Sequence, residues 1–132
     1  MKVIAWADRS HLNRDLLVGE SIVQKLKYEV KINLLANPMI LTGKKMPEYL
    51  INGWIGDRKS PKKASLSNVF KSAVRQGCQV VVIDLENYPY NLESMLNKLP
   101  KIFQNKEAHK TVERVIIVDK TTEKVVEWIR SK

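Results

Sequence analysis

The stretch "PEYLINGWIGDRK", Pro47 to Lys59, decides how this chain is read. Two short apolar segments are separated only by Asn52-Gly53. Asn-Gly in that setting is the strongest local hairpin signal, because both turn positions need positive φ. A two-residue turn pairs Ile51 with Trp54, Leu50 with Ile55, Tyr49 with Gly56 and Glu48 with Asp57. Opposed residues share a face with Cβ atoms about 4.5–5.5 Å apart. Lys59, two residues beyond Asp57, belongs to that face as well. Glu48, Asp57 and Lys59 are therefore expected to converge at the open end of the hairpin, with Leu50 and Ile55 as an apolar floor. Like charges opposite one another are destabilising, so something must offset the pair.

A divalent metal would do so. Hard cations such as Mg²⁺ take carboxylate oxygens, and their charge removes the repulsion. A metal so placed can polarise a phosphoryl oxygen and acidify bound water, while the lysine orients the nucleophile or stabilises developing charge. Mg²⁺ is the expected ion, with Mn²⁺ or Zn²⁺ as alternatives. The competing reading is plain: Glu48 and Asp57 are edge charges neutralised by Arg58 and Lys59.

Outward from the hairpin the apolar period changes. Toward the N-terminus, "YEVKINLL" alternates, with Val30, Ile32 and Leu34 on one face, as a half-buried strand does. Before it, Leu16, Leu17, Val23 and Leu26 recur at helical spacing from about residue 13 to 26. "ANPMILTGKKMP" between them reads as a loop. Toward the C-terminus, Leu66, Val69, Phe70, Ala73 and Val74 predict a helix, with Gly77 at its C-terminal cap and one of Ser65, Ser67 or Asn68 as N-cap. "QVVVIDL" predicts a central strand buried on both faces. Leu92 to Phe103 predicts a further helix, bent or broken at Pro100. "ERVIIVD" is another strand, and "EKVVEWIR" a last strand or short helix. The order predicts an α/β fold, a single mixed sheet in one domain over residues 1–132, with the helix after the hairpin as a crossover connection.

Composition agrees with a globular domain of this kind. The apolar fraction of 44% is ordinary, and no run approaches the roughly 20 residues of a membrane helix. No signal peptide is legible in "MKVIAWADRSH", and the single Cys78 has no disulfide partner in the chain. The formal net charge is +9, from 23 Lys plus Arg against 14 Asp plus Glu, which favours polyanionic partners. Arg58, Lys59, Lys62, Lys63, Lys71 and Arg75 follow one another without an intervening acid, a track for a phosphate backbone or else a solvated helix face. Ser67, near a helix N-terminus, could add a phosphate contact.

"Pro-Glu … Asp-Arg-Lys" resembles the PD-(D/E)xK signature of the restriction-endonuclease-like nuclease superfamily, and the order helix, three strands, helix, strand matches that superfamily's core. From Pro47 to Leu85 the chain resembles more narrowly the C-terminal nuclease domain of bacterial contact-dependent growth inhibition toxins. The likeness extends over roughly Glu20 to Asp119. It implies Glu48 and Asp57 as metal ligands, Lys59 as the catalytic lysine, Glu20 as a helix-borne acid and Gln76 as a residue of the crossover helix facing the site. It further implies a metal-dependent nuclease, with tRNA favoured and DNA as the alternative polymer, acting in the cytoplasm of a competing bacterium after delivery on a larger toxin. An acidic immunity protein covering the basic site would accompany it. Two positions depart from the pattern: Glu48 replaces the usual Asp, and Asp57 the usual Glu, which leaves open a non-catalytic basic module that binds nucleic acid or protein.

Among the other residues, His11 and His109 are candidates for metal-independent acid–base work or simple surface histidines. Trp6, Trp54 and Trp128 could stack on bases, but the hairpin register turns Trp54 away from the carboxylates and into the core. Asp84, ending the buried strand, has no partner suggested by the sequence.

Overall fold

The structure is a computed structural model that describes residues 2–3, 9–32, 48–63 and 66–130, with side chains from Asn13 onward. The 36–47 loop reading, Trp6, Ser65 and the His11 side chain lie outside what it describes. The elements are β1 (Lys2–Val3), α1 (Arg9–Leu26), β2 (Val30–Ile32), β3 (Tyr49–Ile51), β4 (Trp54–Lys59), α2 (Ser67–Arg75), β5 (Val80–Asp84), α3 (Leu92–Ile102), β6 (Arg114–Asp119) and β7 (Lys124–Ile129), with a 3₁₀ turn at Leu85–Asn87. The strands form one mixed sheet in sequence order from β1 to β7. β4, β5 and β6 run parallel, and α2 and α3 cross between them. The final segment resolves as a strand, antiparallel to β6. β1, parallel to β2, was not foreseen.

The hairpin forms as its turn chemistry dictates. Asn52 and Gly53 take φ of 50° and 83°, the positive pair of a type I′ turn. The pairs Ile51–Trp54, Leu50–Ile55 and Tyr49–Gly56 follow. Asn52 also ties the turn to β2, accepting from the Glu29 amide at 2.9 Å and donating its own amide to the Glu29 carbonyl at 2.8 Å.

Both faces of the sheet are covered. On one, Val18 and Ile22 of α1 meet Val30, Ile32, Tyr49, Ile51, Val80, Val82, Ile116 and Val118. On the other, Phe70 and Ala73 of α2 and Met95 and Leu99 of α3 meet Val81, Ile83, Val115 and Ile117. This explains the unbroken apolar run of β5, all of whose residues are buried. Each such Val or Ile contributes about 1.5–3 kcal/mol on burial.

Three local expectations need correction. The deepest positions of α1 are Asp15, Val18, Ser21 and Ile22, with Leu16, Val23 and Leu26 packed at the margin of that core as expected, while Leu17 is 47% exposed. The residue before α2 is Leu66, without a side-chain cap, so neither Ser67 nor Asn68 serves as one. Helix α3 runs through Pro100 and ends two residues later at Ile102, since a proline in the last turn removes little helical bonding. The α2 C-terminus conforms: Gly77 has φ of 72°, its amide bonds the Val74 carbonyl, and the Cys78 amide bonds that of Ala73. This is a Schellman closure, and it leaves Gln76 as the C-cap of the helix.

Candidate active site

Strand alternation puts Asp57 and Lys59, which pair with Val81 and Ile83, on the α2 side of the sheet; Arg58, which pairs with Val82, faces α1. Lys59 reaches back along its strand. Its Nζ lies 2.9 Å from Asp57 Oδ2 and donates to Gln76 Oε1 at 2.8 Å and Ser72 Oγ at 3.1 Å. An ammonium has three donors, and here each has an acceptor, so the position of Lys59 is set from β4 and α2 together. Asp57 is almost fully buried, and its Oδ1 accepts from the Glu48 amide at 3.1 Å, across the open end of the hairpin.

The Glu48 carboxyl lies between Asp57 and Asp15 of α1, and its pKa is pushed up to about 10, by burial first, then by its hydrogen bond to Asp15 and the charge of Asp57. The cause is visible in the donors. An ionised carboxylate only accepts, and the buried Glu48 Oε2 has no donor; a proton lets Glu48 donate to Asp15 instead. Asp15 is fixed on its other side by Arg58 Nε at 2.6 Å, and the Tyr49 hydroxyl donates to the Asp15 carbonyl at 2.7 Å. Burial and the charges of Asp15 and Glu48 push the Tyr49 hydroxyl well above its usual pKa, so it remains a donor.

Arg58 is held in turn. Its Nη1 lies 3.3 Å from Asp84 Oδ2, and Arg14 grips the same carboxylate in a fork, Nε to Oδ2 at 2.6 Å and Nη2 to Oδ1 at 2.8 Å. Asp84 is fully buried and also caps the 3₁₀ turn through the Glu86 amide. Burial works against its charge, but Arg14, the Glu86 amide and Arg58 outweigh it and lower the Asp84 pKa. Cys78, buried beneath the site, has its thiol pushed up to about 12 by burial and by Asp57, which keeps it an unreactive core residue.

The structure thus brings together Glu48, Asp57, Lys59 and Gln76, and does not bring Glu20 to them. Glu20 is exposed, and Asp15 supplies the acid from α1. The signal for Asp15 was present: it stands three and seven residues before Val18 and Ile22, in phase with the buried stripe. Arg58 is the other misplaced residue. Its side chain is 8% exposed between Asp15 and Asp84, so it does not join the outward basic track. Lys62, Lys63, Ser67, Lys71 and Arg75 are exposed as that track requires. His109 packs on Phe70 and Phe103 away from the hairpin, and Trp54 packs edge-on against Tyr28 in the core beside α1.

The donor set is all carboxylate oxygen, which suits a hard cation, and Glu48 Oε2 is a buried acceptor lacking a partner. Asp15 and Asp57 are meanwhile committed to Arg58 and Lys59. Among the described residues no three His, Cys, Asp or Glu side chains are placed to hold a metal ion as they stand, so cation binding here would require them to shift, displacing the Glu48 proton and loosening these pairs.

Comparison with known proteins agrees with the fold. A solved structure described as a CdiA-CT/CdiI toxin and immunity complex from Burkholderia pseudomallei superposes with a TM-score of 0.68 at 16% identity, covering 98% of this chain and 100% of that one. Curated protein sequences give no match. Among the described residues no helix is long and apolar enough to cross a membrane. Residues 44–123, which hold the hairpin, the crossover helix, β5, α3 and β6 up to the last turn, match the profile of the contact-dependent growth inhibition CdiA C-terminal domain. The chain belongs to that toxin-domain family.

Proposed function

We propose that this toxin domain is a metal-dependent nuclease of the PD-(D/E)xK type, hydrolysing phosphodiester bonds with tRNA as the favoured substrate. The observation that carries the reading is the gathering of Asp15, Glu48 and Asp57 beside Lys59, with one buried carboxyl oxygen lacking a donor. Asp15, Glu48 and Asp57 would hold the cation, Mg²⁺ first, with Mn²⁺ or Zn²⁺ as alternatives. When bound, it supplies Lewis-acid polarisation of a phosphoryl oxygen and a lower pKa for attacking water. Lys59, positioned by Gln76 and Ser72, orients the nucleophile and stabilises charge developing on the phosphate. The exposed Lys62, Lys63, Lys71 and Arg75, with Ser67, meet the phosphate backbone. As part of a larger delivered toxin the domain acts in the cytoplasm of the target cell, and an acidic immunity protein neutralises it in the producer.

The test is cleavage of total tRNA and of plasmid DNA with Mg²⁺, Mn²⁺ or EDTA, for wild type beside folded Asp57→Ala and Lys59→Ala. Metal-dependent cutting of tRNA, lost in both variants, is the expected result. Cutting of plasmid alone would make the domain a DNA endonuclease. Cutting that survives EDTA and both substitutions would overturn the hairpin site. Salt-sensitive binding without cutting in any metal would make the domain a non-catalytic module.

A further inference from the structure

A second charged feature lies at the other end of the parallel strands, where β6 begins and β7 ends. A cavity of about 340 Å³ is lined by Lys106, Lys110, Arg114 and Arg130, with Glu113 and the apolar Val112 and Ile129. Four cations face one carboxylate, and little else in the fold neutralises them. Lys110 meets Glu107 only at 3.8 Å with both side chains largely in water, a pair of little worth. Arg114 meets Glu127 at 3.5 Å, longer than a charge-assisted hydrogen bond, and lies with its guanidinium 4.1 Å above the Trp54 ring.

Arg130 is the organiser. It donates to the carbonyls of Asn105, Lys106 and His109, which closes the loop bearing Lys106 and Lys110 over the cavity. Its hydrogen-bond partners are neutral, its guanidinium lies 5.0 Å from the Phe103 ring, and among the described residues it has no carboxylate at ion-pair distance. His109, at the tip of that loop in the left-handed region with φ of 52°, registers the field. Its pKa is lowered by burial and then by Arg130 and Lys71. Lys71, on α2, is near enough to act on His109. That helix turns Ser72 and Gln76 to Lys59 on one flank and sets Phe70 against His109, 5.5 Å between rings, on the other. Exposed Lys71 and Arg75 lie on it between the two sites.

We propose that this cavity binds a phosphate-bearing group of nucleotide size and, resting on the nuclease reading above, that it holds a segment of the nucleic-acid substrate away from the scissile bond, with the strand crossing α2 between the two sites. The volume lies at the lower end of that of ligand sites. The Arg114 guanidinium keeps an edge that matches phosphate oxygens in pairs, Arg130, Lys106 and Lys110 add charge, and Ile129, 55% exposed, offers an apolar contact to a sugar or base. A concave site of this size suits one nucleotide of a strand better than the convex face of an acidic protein.

The experiment is anisotropy of labelled tRNA in EDTA, so that binding is read without cleavage, for wild type, the double variant Lys106→Glu/Lys110→Glu and Glu20→Gln. Both lysines are exposed, so the fold tolerates their reversal. The double variant is expected to bind at least about tenfold more weakly and to lower the log–log salt slope by about 1.5, as loss of two phosphate contacts does, while Glu20→Gln, at an exposed position outside both sites, binds as wild type. Unchanged affinity and slope would overturn the proposal. So would polyglutamate competing charge for charge with tRNA, which marks a surface for acidic protein. Titration with AMP, followed by NMR, separates the sources: AMP shifts at the cavity with tRNA affinity indifferent to the double variant would overturn the polymer assignment in favour of a free nucleotide. Cavity-dependent tRNA binding without cutting in any metal would leave this inference standing and remove the nuclease reading; cutting indifferent to the double variant would do the reverse.

Discussion

Arg58 and Lys59 are neighbours on one strand, alike in charge, and the sheet sends them to opposite faces and opposite tasks. Lys59 is matched by one carboxylate and two neutral oxygens on the α2 side. Arg58 is wedged between two carboxylates on the α1 side, where Arg14 shares Asp84 with it. The first arrangement leaves the ammonium beside the hairpin acids, where charge can act on a substrate. The second fixes where α1 sits relative to the sheet and so delivers Asp15 to Glu48. The strand's period of two, rather than residue type, separates the catalytic candidate from the structural one.

The largest effect that would break this comparison is on catalysis. Lys59→Ala and Asp57→Ala are each expected to lower the rate of tRNA cleavage about 10³-fold with the fold intact, as read by initial rates and circular dichroism; a variant that keeps wild-type rate removes that residue from the site. Arg58→Met is expected to act on stability instead, because it strips a buried partner from Asp15 and Asp84. Loss of one member of a buried pair costs about 3–5 kcal/mol, and since Arg14 remains on Asp84, chemical denaturation should give the lower end. A change under about 1 kcal/mol would mean that Arg58 does not hold α1.

The helix acids sharpen the same contrast. Asp15→Asn should reduce cleavage about 10²-fold, whereas Glu20→Gln should leave the rate within twofold of wild type; the opposite ranking would restore Glu20 to the site. Glu48 provides a test by pH in metal-free protein. Its folded pKa is raised above the unfolded value of about 4.3, so the folded state binds the extra proton. Its contribution is therefore full in acid and declines as pH rises toward about 10. Relative to Glu48→Gln, wild type should lose up to about 1.4 kcal/mol of stability per pH unit near neutrality. Equal slopes for the two proteins would show that Glu48 is ionised in the fold. Asp84 runs the other way and acts over a narrower range: its lowered pKa stabilises above about pH 3.9, and the advantage over Asp84→Asn should shrink on acidification through that region.

The hairpin and its register follow from features the sequence displays directly, whereas Gln76 was offered by the family resemblance and its bond to Lys59 is set by the fold. Asn-Gly dictates the turn, a turn of two residues dictates the pairs, alternation dictates that Asp57 and Lys59 share a face, and Gly77 ends α2 just after Gln76. All of these act over a few residues through backbone geometry. The misreadings have a common origin in longer range. Leucine spacing placed Leu17 in the buried stripe and the resemblance offered Glu20 as the helix acid, but Val18 and Ile22 make the deepest contacts with the sheet and Asp15 lies in phase with them. Arg58 looked like one more cation of a basic run until the acids of α1 and β5 enclosed it, from 43 and 26 residues away.

By itself, the sequence determined the α/β order of elements, the placement of Glu48 against Asp57, and a surplus of positive charge. Only the tertiary structure decided which helix acid joins the site, which cation is buried, and that four basic side chains from the loop after α3, from β6 and from just beyond β7 line one cavity. The physical reason is that turn type and strand alternation are set by neighbouring residues. The phase of a docked helix and the partners of a buried charge are instead set by which arrangement leaves the fewest voids and unpaired polar groups across the whole fold.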